Sequence, residues 1–104
     1  MPDPRLGLSA DDWNVLLATL NRYVPENEIW AFGSRVRGNA RPFSDLDLAI
    51  ISSQPIDSQT MAELRYTLSE STLSVRVDCI DWSRTGEPFR KLISEQHVRL
   101  PPAA

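Results

Sequence analysis

The chain has 104 residues, 41% of them hydrophobic and 24% charged, which suits one domain with a modest core and leaves no room for a second. A net charge of −3 excludes the broadly basic surface of a nucleic-acid-coating protein, so no direct nucleic-acid binding is expected. The single cysteine, Cys79, excludes an intrachain disulfide; no apolar run is long enough for a membrane span, no signal-peptide layout is present, and the cytoplasm is the expected compartment.

Ser9-Ala10-Asp11-Asp12 predicts a helix start of the capping-box kind, with Asp12 in the place of the usual Glu or Gln. Trp13, Leu16, Leu17, Leu20 and Val24 then recur at one-faced helical spacing until Pro25 closes the run. Glu28 to Phe32 is short and aromatic-rich and ends at Gly33, which predicts a strand. Ser34 to Arg37 start a brief helix that Gly38 terminates, and residues 39 to 44 form a loop held by Pro42.

Asp45 to Ile51 predicts a second strand, with Leu46, Leu48 and Ile50 on one face and Asp45, Asp47, Ala49 and Ile51 on the other. Residues 57–71 suit a helix capped by Asp57 or Ser58 that buries Met61, Leu64 and Leu68. Val75 to Asp81 is a third strand. A last helix from Pro88 to His97 carries Phe89, Leu92 and Ile93, and Pro101-Pro102 stops it. The order αβαβαβα predicts an α+β domain over residues 1–104, a sheet flanked by helices.

The chemistry gathers in GSRVRGNARPFSDLD, residues 33 to 47. Aspartate is depleted from strands, and two on one face stand ~6–7 Å apart, so Asp45 and Asp47 repel unless a cation lies between them. Hard oxygen donors on a strand suit Mg²⁺ or Mn²⁺, with water and substrate phosphate completing the ligand set. A bare D-x-D also occurs on solvated strand ends, and the turn at Gly33-Ser34 gives the pair its meaning. A glycine after a strand lets backbone amides approach a ligand, a serine hydroxyl adds a donor, and Arg35 or Arg37 adds a planar fork for phosphate oxygens. A third carboxylate, Asp78 or Asp81, would complete a two-metal arrangement. Asp78, inside an otherwise apolar strand, is the preferred one.

Gly33-Ser34, ten residues, then Asp45-Leu46-Asp47 resembles the GSx10DxD pattern of the DNA polymerase β nucleotidyltransferase superfamily. The fuller string GSRVRGNARPFSDLDL, with a further aspartate in VRVDCID, is similar to the minimal nucleotidyltransferases (MNT) of bacteria and archaea. The resemblance covers roughly residues 28 to 81 and implies a palm-like fold on a small mixed sheet. It implies that Gly33, Ser34 and Arg37 bind the phosphates of ATP, and that Asp45, Asp47 and Asp78 are catalytic and hold Mg²⁺, two ions. Val36 stands where the family has alanine, and Phe43 where a polar residue is common. Minimal members pair with helical HEPN ribonuclease toxins, so the resemblance further implies an antitoxin that transfers AMP to a tyrosine hydroxyl of its partner. The alternative is a non-catalytic antitoxin that neutralises by complex formation. Homo- or hetero-oligomers are expected either way.

Other residues are expected to be structural. His97 reads as a solvated helix terminus, Cys79 as a small buried hydrophobe, and Trp13, Trp30 and Phe32 as core positions. Trp82, just after a strand, could pack in an interface or against a base. The string lacks the Gly-Lys-Ser/Thr ending of a P-loop.

Overall fold

A computed structural model describes residues 6–38, 41 and 44–101. The expected loop residues Asn39, Pro42 and Phe43, and Pro102 at the end, lie outside the described residues. Helix α1 (Ala10–Tyr23), strand β1 (Glu28–Phe32), the single turn α2 (Ser34–Arg37), β2 (Leu46–Ile51), α3 (Ser58–Ser69), β3 (Val77–Asp81), α4 (Glu87–Glu95) and β4 (Val98–Arg99) follow one another. The sheet order is β3-β2-β1-β4. β1 runs antiparallel to β2 and β4, whereas β2 and β3 are parallel, so the sheet is mixed.

One face of that sheet builds the core. Ile29, Ala31, Leu46, Leu48, Ile50 and Cys79 are buried from the strands, and Trp13, Leu16 and Leu20 of α1 and Met61, Leu64 and Leu68 of α3 meet them. Removing a side chain such as Leu48 or Ile50 from water contributes about 1.5–3 kcal/mol. Antiparallel β1–β2 needs only a loop, but parallel β2–β3 needs a crossover, which α3 supplies.

The start of α1 departs from the expected capping box. Ser9 Oγ accepts from Asp12 N at 3.0 Å as expected, yet the Asp12 carboxylate does not reach back. It is buried and accepts from Ser74 N at 3.2 Å and from Ser74 Oγ, tying α1 to the loop before β3. Asp57 caps α3 by accepting from Thr60 N at 3.1 Å.

The C-terminal part differs more. β3 begins at Val77 rather than Val75, and α4 ends at Glu95 rather than His97. A fourth strand, β4, was not expected; at two residues it is too short to show alternation, and its pairing of Val98 with Ala31 defines it. His97 is therefore no helix terminus in solvent. Its ring stacks on Trp30 (centroids 3.9 Å, planes 13° apart), and Nδ1 lies 3.1 Å from Ile93 O. Trp30 in turn meets Trp82 edge-on at 5.3 Å, and Arg90 lies over Trp82 and donates to its carbonyl. Among the described residues, no helix is long and apolar enough to cross a membrane.

Candidate active site

The second face of the sheet carries the polar chemistry. The register sets Phe32 against Asp47, and Asp47 against Asp78. Because paired residues of adjacent strands project to the same side, the Asp47 and Asp78 carboxylates stand on one face, on strands about 4.8 Å apart. Gly33 follows Phe32 directly, so the turn reaches Asp47 without any intervening residue. Asp45 precedes the first residue of β2 and is partly buried.

Gly33 is the N-cap of α2 with φ +84 and ψ −156, a backbone region essentially reserved for glycine. A Cβ there would overlap Asp47 Oδ2. Both features call for glycine, one for backbone strain and one for space. The Gly33 carbonyl accepts from Val36 N and Arg37 N, each at 3.1 Å, which closes the turn. Val36 packs at 2% exposure in the core behind it, and Gly38, at φ +81, ends α2 with its N–H on Ser34 O.

The electrostatics follow the geometry. Burial, then the neighbouring charges of Asp78 and Asp45, push the Asp47 carboxyl above its ordinary range, and Arg37 pulls it partly back. Arg37 is exposed and its charge is felt at the carboxylate cluster. Asp78 is half exposed, with Arg76 Nη2 3.7 Å from its Oδ1. Among the described residues, no three Asp, Glu, His or Cys side chains are drawn close enough to form a ready-made cage for an ion. The donor set instead fits a hard cation that takes part of its shell from substrate phosphate and water, and mutual repulsion of the carboxylates favours such an ion.

Arg35 does not face this site. It is 4% exposed; Nη1 donates to Leu6 O at 2.6 Å, and Nε and Nη2 donate to Ser44 O at 3.1 and 2.8 Å. Arg35 thus ties the chain before α1 to the residue before Asp45. The chemistry of the loop alone offered either Arg35 or Arg37 for phosphate and the family resemblance pointed to Arg37; burial of Arg35 leaves Arg37 as the exposed one of the two.

The two candidate third carboxylates are also separated. Asp81 pairs in register with Ile50, away from Asp47, and is 5% exposed. It accepts from Ser52 Oγ (2.6 Å), Ile56 N (2.8 Å), Ser83 N (3.0 Å) and Ser83 Oγ (2.8 Å). Burial pushes its carboxyl up, but the bonds from Ser52, Ile56 and Ser83 outweigh that and hold it below the ordinary range. Asp81 is a loop anchor, and Asp78 is the aspartate beside Asp47. Cys79 is buried and burial pushes its thiol up to about 12, so it is inert at neutral pH.

Composition and periodicity did not single out the residues flanking the turn. Phe89 and Leu92 of α4 are 44% and 63% exposed, and of the helix's apolar positions only Ile93 is buried. Phe89 meets Phe32 edge-on at 5.6 Å. Their i, i+3 spacing signals an amphipathic face but does not say whether protein covers it.

Comparison with known proteins shows the family. Residues 15–100 match the family model described as polymerase beta, nucleotidyltransferase. The chain is 43% identical over 94 residues to the probable protein adenylyltransferase MntA of Haemophilus influenzae, covering 90% of this chain and 82% of that one. A crystal structure of a toxin–antitoxin with AMP-PNP superposes with a TM-score of 0.70 at 25% identity, over 84% of this chain and 70% of that one. The fold also recurs, at 22% identity and a TM-score of 0.63, in a complex of tri-AMPylated Shewanella oneidensis HEPN toxin with MNT antitoxin, over 85% of this chain and 67% of that one.

Proposed function

Because the chain belongs to the polymerase β nucleotidyltransferase family, we propose that it transfers AMP from ATP to a tyrosine hydroxyl of a HEPN-type toxin and so acts as its antitoxin. One observation carries the reading: β1 delivers the Gly33-Ser34 turn beside Asp47, and β3 delivers Asp78 on Asp47's other side. Phosphate-binding and carboxylate groups thereby meet on one face. The relative named as a protein adenylyltransferase and the similar toxin–antitoxin bound to AMP-PNP support the donor and the kind of partner.

In this reading Gly33 and Ser34 hold the outer phosphates through backbone N–H and the serine hydroxyl, and Arg37 adds a charged donor. Asp45, Asp47 and Asp78 would hold Mg²⁺, two ions, which supply charge stabilisation at the reacting phosphorus when bound. The acceptor oxygen bonds to the α-phosphorus as the bond to the bridging oxygen breaks, and pyrophosphate leaves on the Gly33 side. In-line displacement then brings the acceptor from the Asp78 side, where that carboxylate can take the hydroxyl proton. A single minimal domain over residues 1–104, working in the cytoplasm as part of a homo- or hetero-oligomer with its toxin, provides all of these groups.

Incubation with α-labelled ATP, Mg²⁺ and the co-encoded toxin should label the toxin and abolish its ribonuclease activity. Labelling that persists in Asp45→Asn/Asp47→Asn would overturn the assignment of these carboxylates. Full neutralisation by that variant without labelling would instead show an antitoxin that works by binding.

A further inference from the structure

A cavity of about 390 Å³ opens beside the phosphate turn. Gly33 and Arg37 line it together with an apolar wall, the side chains of Phe32, Phe89 and Leu92, and the polar Glu95 and Gln96. The wall is fixed rather than loose, because Phe89 sits edge-to-face on Phe32 with planes at 83°. It is also uncovered: Phe89 and Leu92 are 44% and 63% exposed although they share a helix face with buried Ile93. Nothing in the packing of the core calls for large apolar groups there.

The geometry points to a nucleobase subsite: the Phe32–Phe89–Leu92 wall of α4 receives the base of the donor nucleotide, with the Gln96 amide at the base edge. This rests on the proposed nucleotidyl transfer. Three observations carry it. The cavity is continuous with the turn assigned to phosphate, since Gly33 and Arg37 belong to both. Its volume falls within the range of small-ligand sites, about 300–1,000 Å³. Its wall is aromatic and aliphatic, the surface on which a base stacks whatever its identity. Gln96, the extended residue that follows α4, also lines the cavity, and a carboxamide there matches the donor–acceptor pair that adenine presents. The position also leaves the Asp78 side free for the acceptor.

Titration calorimetry of the full chain with Mg²⁺ and either ATP or inorganic tripolyphosphate separates base from phosphate. Wild type should bind ATP about tenfold or more tightly than tripolyphosphate, the gain expected of a stacked base. Phe89→Ala/Leu92→Ala should bring ATP affinity down to that of tripolyphosphate and leave tripolyphosphate unchanged, whereas Phe89→Tyr should keep the preference. Unchanged ATP affinity in the double variant, with loss only of toxin labelling, would overturn the subsite and assign the wall to protein docking. A parallel loss of tripolyphosphate would also overturn it, because the ring would then support the turn and not the base. Wild type that binds both ligands equally would remove the base subsite alone; wild type that binds neither would remove the nucleotidyl transfer reading with it.

Discussion

Asp47 and Asp78 are register partners across the parallel β2–β3 pair, side by side on the polar face of the sheet. With Asp45 two residues before Asp47, this adjacency concentrates negative charge that the fold alone does not neutralise.

Asp47 should therefore cost stability when no cation is present. Its carboxyl is raised by burial, Asp78 and Asp45. A raised acid contributes fully only below its unfolded value, and that contribution is lost as pH rises through the folded value. At neutral pH, Asp47→Asn should raise the melting temperature of EDTA-treated protein by roughly 2–4 °C, the shift expected for a fraction of a kcal/mol in a domain of this size. MgCl2 should stabilise wild type and have a smaller effect on the variant. A variant that melts at or below wild type in EDTA would contradict the like-charge account.

The two glycines that bound α2 should respond differently to an added Cβ. Gly33 and Gly38 have φ +84 and +81, but a Cβ at Gly33 overlaps Asp47 Oδ2 whereas one at Gly38 meets nothing within 4 Å. Gly38→Ala, at ψ 9 in the left-handed helical region, should lose about 1–2 kcal/mol to backbone strain, measured by urea unfolding, and Gly33→Ala should lose more, because φ +84 with ψ −156 is a region essentially reserved for glycine. Only Gly33→Ala should also abolish toxin labelling, by displacing the carboxylate. Equal effects on labelling would mean that strain, not the overlap, is what matters.

Arg35 and Arg37 should fail in different assays. Arg35→Met strands the Leu6 and Ser44 carbonyls that accept from the buried guanidinium. A loss of about 3 kcal/mol in unfolding free energy is expected from charged hydrogen bonds of this kind. Arg37→Ala, at an exposed position, should leave stability within about 0.5 kcal/mol and raise the KM for ATP. Two variants with the same stability would show that the Arg35 clamp is energetically idle.

Asp81→Asn tests the loop anchor and has a pH signature. The carboxyl is held below the ordinary 3.8 by its hydrogen bonds, so its contribution is present above 3.8 and is lost as pH falls through the lower folded value. At pH 7 the variant should be destabilised by about 2 kcal/mol, since it keeps the shape but loses the charged acceptor. The gap to wild type should narrow below pH 4, and a gap that stays constant down to pH 2 would argue against an ionised anchor.

Much of this was legible in the residues, and the exceptions have physical reasons. Leu46, Leu48 and Ile50 alternate with Asp45 and Asp47, and alternation on a strand is enough to predict which face is buried. The sequence's preference for Asp78 came from its position inside an apolar strand, and the register now places it beside Asp47. What could not be read was pairing. Neither the two-residue β4 nor the stacking of His97 on Trp30 leaves any periodic trace. Arg35 and Arg37 are the same residue type two positions apart, so residue chemistry alone does not separate them; the family resemblance pointed to Arg37, and the tertiary fold, which brings Leu6 and Ser44 around Arg35, supplies the physical difference. Asp12 fits a local capping pattern, yet a distant serine claims its carboxylate.

The parallel join between β2 and β3 also bears on when the site comes into being. The turn at Gly33 and the aspartates of β2 are neighbours in sequence and meet through a local antiparallel pair. Asp78 reaches them only after the chain has crossed over through α3, a non-local contact with a larger loop-closure cost. A nascent or partly folded chain would thus hold the turn and the first two carboxylates without the third. Completion of the carboxylate set is coupled to this crossover, so competence for chemistry reports on the docking of β3.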